Sequence, residues 1–274
     1  MRRRPVILTT TAALLYCFLW APIAVVIAYS FNSTRFGSAW GGFTFKWYAT
    51  LLHNSAALHA ALNTLQLAVA STLVATLLGT PLGYGLSRIR FPGRNLLGTA
   101  LYIPVFIPDI VMAVSLLLLF SMVRNWLGIL DLGLTTMVLG HVTFQLPFVA
   151  IVVKARLSGM DPLLEEAARD LGAGPWQTFR HVTLPLMFPG ILAASMLAVT
   201  LSLDDFVISF FTSGPGSTTL PILIYSSVKR GITPDINALS TLIVVASVLT
   251  ALSIGVVRHT ATLPMDAGNS RSTK

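Results

Sequence analysis

Residues 161–185, DPLLEEAARDLGAGPWQTFRHVTLP, form a polar, charged island between long apolar segments, and their reading decides how the rest of the chain is built. Asp161 has the chemistry of a helix N-cap. Pro162 suits the first helical position, where a missing N–H costs nothing, and Gly172 suits a left-handed C-terminal cap. The spacing predicts a helix of about three turns over 162–171. On it, Leu163, Leu164, Ala167, Ala168 and Leu171 share one face, and Glu165, Glu166, Arg169 and Asp170 decorate the other. Such a helix docks on something apolar. Gly174-Pro175 restarts a short helix through Trp176, Phe179 and Val182, and Leu184-Pro185 is expected to turn the chain back into the next apolar segment.

With 274 residues, 54% of them hydrophobic and only 10% charged, the chain reads as an all-α integral membrane protein with no soluble domain of useful size. A formal net charge of +8 invites a nucleic-acid partner. The basic residues lie at segment ends, however, where they orient a chain in a bilayer, so the expected surroundings are membrane lipid and no nucleic acid. Cys17 is alone in an apolar run, which excludes a disulfide or a cysteine metal site within the chain, and neither metal nor cofactor is expected.

Taken in order, the apolar runs predict six membrane helices, at about 6–29, 58–86, 96–122, 136–153, 186–211 and 238–257. Arg2, Arg3 and Arg4 before the first run also fit a signal peptide. The run is too long for one and lacks a convincing cleavage site, so an uncleaved helix is expected. Trp40, Trp47 and Tyr48 in the following loop suit a membrane–water interface. Asn63 and Gln66 in the second run permit close packing or a polar lumen. Phe91-Pro92-Gly93 breaks the chain between the second and third runs, and a loop rich in Gly, Ser, Thr and Pro is expected from 212 to 234.

Alternating sides, Arg2, Arg3, Arg4, Arg88, Arg90, Arg94, Lys154, Arg156, Arg169, Arg180, Arg258, Arg271 and Lys274 fall on one side of the membrane. Only Arg35, Lys46, Arg124, Lys229 and Arg230 fall on the other. That asymmetry predicts both termini and the 161–185 island in the cytoplasm. Residues 1–258 are therefore expected to form one transmembrane domain and 259–274 a polar, disordered cytoplasmic tail.

Within the island, Glu166-Ala167-Ala168, then Gly172, then Val182-x-Leu184-Pro185 resembles the EAA motif of ABC-importer permeases. The resemblance implies the type I ABC importer fold, with Glu166, Ala167, Ala168, Gly172, Leu184 and Pro185 in a coupling region that docks on a separate ATPase dimer. No Walker sequence occurs in this chain, and Gly214-Pro215-Gly216-Ser217 lacks the Lys of a phosphate loop, so ATP hydrolysis is expected on the partner.

Carboxylates in a bilayer are costly, about 2.5–3.5 kcal/mol at a helix centre, so Asp109, Asp204 and Asp205 are candidates for a substrate path and would suit a cationic passenger. Neighbours on a helix point about 100° apart, so Asp204 and Asp205 share one pore only if the helix opens locally. A hydrated position near the outer interface, or a cap on the following turn, fits their spacing equally. Pro104 and Pro108 either open backbone onto a cavity or simply kink the helix. Phe206, Tyr102 and Phe120 read as packing or lipid-facing before they read as walls of a path. His141, near Thr143 and Gln145, reads as a hydrogen-bonded packing residue before it reads as a proton relay.

The strings Thr200 to Phe206, Ser213 to Ile222, Tyr225 to Leu239, Tyr29-Ser30-Phe31-Asn32 and Ile107-Pro108-Asp109-Ile110-Val111 resemble the permeases of spermidine and putrescine importers. That resemblance implies a multi-pass subunit of a bacterial inner membrane. Its implied partners are a second homologous permease, the ABC ATPase dimer and a periplasmic polyamine-binding protein. Members of the same superfamily carry ferric iron, opines or aminoethylphosphonate. An ion-coupled carrier using the three aspartates is the alternative of another class.

Overall fold

In hydrocarbon every backbone N–H and C=O must be satisfied within its own segment, which is why the long apolar runs are helical. The computed structural model describes residues 6–35, 39–231, 233–245 and 248. Its helices are α1 (Val6–Ser30), α2 (Lys46–Leu52), α3 (Ser55–Arg88), α4 (Arg94–Ala100), α5 (Ile103–Phe106), α6 (Asp109–Leu127), α7 (Leu134–Ser158), α8 (Leu163–Asp170), α9 (Pro175–Thr178), α10 (Leu184–Asp204), α11 (Val207–Thr212) and α12 (Leu220–Arg230). A last apolar helix, α13, covers Pro234–Val245, and a π-helical turn, Phe179–Thr183, joins α9 to α10. Among the described residues the β-structure is a single bridge between Asn32 and Phe43. Among the described residues five stretches are long and apolar enough to cross a membrane: Leu8–Ser30, Ser55–Arg88, Asp109–Leu127, Leu134–Ser158 and Pro175–Asp204.

The chain divides into two units, Met1–Asn54 with Ser226–Lys274, and Ser55–Tyr225. In the first, α1 buries none of its apolar stretch, as expected of a helix surrounded by lipid or by another subunit. The loop after it is built on Asn32, whose side chain accepts from Gly41 N–H at 2.8 Å and donates to the Ala39 carbonyl at 2.9 Å. Trp47 Nε1 donates to the Asn32 carbonyl at 2.7 Å, and Phe31 stacks on Phe43 with ring centroids 5.0 Å apart. Trp47 is thus a buried fastener of this loop, while Trp40 stays exposed.

The second unit is organised on α3, α7 and α10. Gly79 and Gly83, four residues apart, let α3 approach α7 closely. A Cβ on Gly79 would lie 2.7 Å from Val149 Cγ1, and one on Gly83 would lie 2.6 Å from the Ala150 carbonyl oxygen. Ala75, Val149, Val153, Leu157, Met187, Ala194 and Ala198 fill the space between the three helices. A second cluster joins Met112, Ala113, Leu116 and Phe120 of α6 to Ile208 of α11. Leu86, Leu101 and Ala150 form a third, at the α3–α4–α7 junction.

Several segments differ from the sequence expectation. The expected span 96–122 is replaced by α4, α5 and α6, because Ile107 and Pro108 are extended (ψ 132° and 134°) and α6 starts only at Asp109. A residue before proline is pushed out of helical backbone, and Pro108 supplies that push. The expected turn at Leu184-Pro185 is absent. Helix continues from Pro175 to Asp204, passing through a wider π turn in which Leu184 N–H reaches the Phe179 carbonyl immediately before Pro185. The expected span 186–211 instead breaks at Asp205, which is extended at ψ 121°. The expected outside loop 212–234 contains α12, whose first turn holds Leu220-Pro221. Helices α3 and α7 run past the expected bounds of 58–86 and 136–153, since their polar ends keep helical bonds beyond the apolar run. At 34 residues α3 is about 51 Å long, well over a hydrocarbon thickness of about 30 Å. The end of the expected span 238–257, the tail 259–274 and Arg2, Arg3 and Arg4 lie outside the described residues.

Replacing Gly83 by Leu is expected to push α3 off α7 and abolish monodisperse, membrane-extracted protein. Gly85→Ala, which meets no atom within 4 Å, should leave the size-exclusion profile unchanged. Equal profiles for both variants would contradict the packing described.

Candidate functional site

The 161–185 island folds as its local signals dictate. Asp161 Oδ1 accepts from Leu163 N–H at 3.0 Å, capping α8. At the other end Gly172 takes a left-handed φ of 88°, Ala173 N–H reaches the Ala168 carbonyl at 3.0 Å, and Gly172 N–H reaches the Arg169 carbonyl at 2.9 Å. Those two bonds are a Schellman motif, and they fix where α8 stops.

Which face of α8 turns inward is the surprise. Glu165, expected among the solvated residues, is 8% exposed. Its Oε1 accepts from Thr183 Oγ1 at 3.0 Å and lies 3.2 Å from Arg88 Nε, a charge contact rather than an aligned hydrogen bond. Arg88 sits in the last turn of α3 and Glu165 in the first turn of α8, so each charge also suits its own helix dipole. One carboxylate thereby ties α8 to α3 and to the π turn. The apolar face is left uncovered: Leu163 is 64% and Leu171 89% exposed, with Leu164 and Trp176 also exposed. Glu166 and Ala167 lie on the exposed side, Ala168 and Leu184 are half-buried, and Pro185 is exposed.

The three membrane aspartates separate into two kinds. Asp109, at the N-terminus of α6, and Asp204, the last residue of α10, are exposed, and no hydrogen bond or ion pair between the two is found among the described residues. Asp205 is different. Its side chain is 9% exposed, Oδ1 accepts from Ile208 N–H at 3.2 Å, and Oδ2 accepts from Ser209 N–H at 2.8 Å. It is the N-cap of α11, the second of the roles its spacing left open. Oδ2 also lies 3.2 Å from Nε2 of His141, whose other ring nitrogen is 2.8 Å from Ser202 Oγ.

The polar chain continues across the helices. Ser202 Oγ is 3.4 Å from Ser71 Oγ, and Gln145 Nε2 donates to Ser71 Oγ at 3.2 Å and to the Ala198 carbonyl at 3.1 Å. His141 is thus a hydrogen-bonded packing residue joining α7 to α10 and α11. Asn63 serves packing too, donating to the Gly216 and Thr218 carbonyls at 2.9 and 3.0 Å. Phe120 is buried in the α6–α11 cluster, Tyr102 is exposed, and Phe206 lies 4.5 Å from the Tyr225 ring. Among the described residues no group of three or more His, Cys, Asp or Glu is placed to hold a metal ion.

Residues 75–261, which include α8 and both Asp204 and Asp205, match the family described as binding-protein-dependent transport system inner membrane component. The chain belongs to that family. This permease is 44% identical over 239 residues to the spermidine/putrescine transport system permease protein PotC of Escherichia coli (strain K12), covering 87% of this chain and 89% of that one. The putrescine transport system permease protein PotI of the same organism is 44% identical over 230 residues, 83% of this chain and 82% of that one. Among solved structures, a bacterial ABC transporter involved in the import of the acidic polysaccharide alginate has a chain of the same fold. The TM-score is 0.73 at 21% identity, over 93% of this permease and 94% of that chain.

Sequence reasoning singled out His141 as a hydrogen-bonded packing residue but not its pairing with Asp205, and it did not find Arg88 and Thr183 as the partners of Glu165. Arg88 and Thr183 meet Glu165 from distant segments, and His141 meets Asp205 from 64 positions away, so no local spacing announces either contact.

Asp205→Ala is expected to cost about 1 kcal/mol as a lost N-terminal cap of α11, and more through loss of the carboxylate beside His141 Nε2, which keeps only Ser209 Oγ at 3.0 Å. Thermal unfolding of the purified permease should report a clear drop for that variant and little for Asp204→Ala. Indistinguishable melting curves would refute the assignment of Asp205 as the cap.

Proposed function

We propose that this permease carries polyamines inward across a bacterial inner membrane. Its partners in this reading are a second homologous permease, two copies of a separate ABC ATPase, and a periplasmic binding protein that delivers spermidine or putrescine. The observation that carries the substrate class is 44% identity, sustained over 87% of the chain, to a spermidine/putrescine permease. In this reading 1–258 forms the transmembrane domain, with a sixth span over 238–257 and both termini cytoplasmic, and 259–274 is a cytoplasmic tail.

Coupling falls to the 161–185 loop. The uncovered apolar face of α8, with Leu163, Leu164 and Leu171, docks in a groove of the ATPase, and Trp176 extends it. Small Ala167 and Ala168 permit close approach, Glu166 faces the partner, and Gly172 sets the end of the helix. Closure of the ATPase pair displaces α8, and the Glu165 contacts with Arg88 and Thr183 carry that displacement to α3 and, through Leu184 and Pro185, to α10.

The substrate path uses the carboxylates unequally. A polyamine needs acceptors spaced along an extended cation, with apolar or aromatic walls for its methylenes. Asp109 and Asp204 are exposed and serve as acceptors, while Asp205 keeps the helix break open and holds its neighbour in place. Phe206 beside Tyr225 offers ring faces next to Asp204.

Labelled spermidine and putrescine uptake in cells stripped of their own polyamine importers, expressing this permease with its partners, tests the reading. ATP-dependent uptake should fall about tenfold or more in Asp204→Asn, the loss of one charge-assisted contact. Gly172→Val, which forces a β-branched residue into left-handed backbone, should abolish ATP-driven uptake while the protein still inserts. Normal uptake by Gly172→Val would favour a self-sufficient carrier. An assembled complex that moves no polyamine would shift the substrate to iron, an opine or a phosphonate.

Orientation has its own test. In a Cys17→Ser background, a cysteine at the exposed position 171 should react with a membrane-impermeant maleimide in inside-out vesicles and not in intact spheroplasts. The reverse pattern would invert the topology.

A further inference from the structure

Where the inner end of α3, the start of α4 and the inner end of α7 meet, a cleft of about 260 Å³ lies apart from both the coupling loop and the aspartates. Arg94, Asn95, Thr99, Tyr102 and Lys154 line it over a floor of Leu86. An adjoining cleft of about 320 Å³ shares Arg94 and Asn95 and adds Arg90. No carboxylate lines either.

Most of the donors in this cleft are unused. Arg94 commits Nε to the Leu86 carbonyl at 2.9 Å and Nη2 to the Ser87 carbonyl at 3.3 Å, which holds its guanidinium in place with Nη1 left over. The side chains of Asn95, Thr99, Tyr102 and Lys154 make no hydrogen bond or ion pair with the described residues, and Lys154 is half-buried. Two cations and three neutral donors converging without an acid are the chemistry of a phosphate site. The surroundings select the source of that phosphate. Leu96, Ile103 and Phe106, on the same two short helices, are 77%, 56% and 81% exposed, an apolar flank that suits acyl chains and that a water-soluble anion would not use.

We propose that this cleft binds the phosphate of an anionic phospholipid in the cytoplasmic leaflet, held by Arg94 and Lys154 with help from Asn95 and Tyr102. The site depends on the cytoplasmic placement proposed above, which the labelling at position 171 tests separately. Arg88 ends the helix that forms one wall of the cleft, so a lipid seated here braces the end of α3 to which Glu165 is tied.

The experiment uses the whole transporter, with its ATPase and second permease, in nanodiscs of phosphatidylcholine mixed with phosphatidylglycerol, and counts retained lipid by native mass spectrometry. Phosphatidylglycerol should be kept preferentially. Lys154→Gln should weaken its retention about fivefold, the effect of one basic residue at a membrane surface, and Arg90→Gln added to it should weaken it further. Lys154→Arg keeps the charge and should keep the lipid, and Lys46→Gln, at the start of α2 and far from the cleft in sequence, should change nothing. Equal retention by the parent and an assembled Lys154→Gln complex overturns the proposal. So does displacement of the lipid by millimolar inorganic phosphate, which marks a free-anion site, and so does a photo-cross-linker at position 99 that captures the ATPase subunit instead of lipid.

Discussion

A helix broken inside a bilayer strands backbone donors where no water can meet them, and this permease depends on how Asp205 answers that constraint. Its two carboxylate oxygens receive the first free N–H groups of α11, so α10 can stop at Asp204 without leaving α11 uncapped. Capping alone would leave a charge at low dielectric. His141, Ser202, Ser71 and Gln145 extend the contact into a chain of polar groups that touches α3, α7, α10 and α11. The same arrangement decides the fate of the neighbouring residue. Because Asp205 takes the inward role at the break, Asp204 is left outward with its carboxylate available.

The 161–185 loop applies a related logic with opposite polarity. A helix with one apolar and one charged face ordinarily turns the apolar face to its own protein. Helix α8 buries only Glu165 and leaves its other charged residues as exposed as its leucines. Glu165 is drawn in by Arg88 and Thr183, and the leucines face out. A partly buried ion pair of this kind adds little net stability, yet removing either member strands the other, so it fixes an orientation more firmly than it lowers an energy. The chain gives up the burial of several leucines on itself, and that surface is what a partner subunit can use.

Local signals made much of this legible in advance. Asp161, Gly172 and the apolar spacing placed α8 to within a residue or two, because caps and left-handed glycines act within a single turn. The long apolar runs marked where long helices would lie, but 96–122 and 186–211 did not remain single helices. What escaped was non-local. The direction of α8 hinged on Arg88, far away in sequence, and the role of Asp205 hinged on His141. Pro104 and Pro108 did announce a disturbance, but the choice between a kink and a full restart at Asp109 rests on the extended backbone at Ile107. Pro185 misled in the other direction, since the helix runs on through it from the π turn without stopping.

That absorbed proline has a mechanical consequence. Had the chain turned at Leu184, the 161–185 loop and the membrane span would be separate pieces joined by a soft corner. Instead Pro175 to Asp204 is one helical rod of 30 residues, about 45 Å from end to end. A rod acts as a lever: a tilt of about 10° about its Pro175 end sweeps the other end through about 8 Å at that length. The end that sweeps carries Asp204 and the break held by Asp205. In the proposed coupling, movement applied at the Pro175 end therefore arrives, magnified, at the acidic pair.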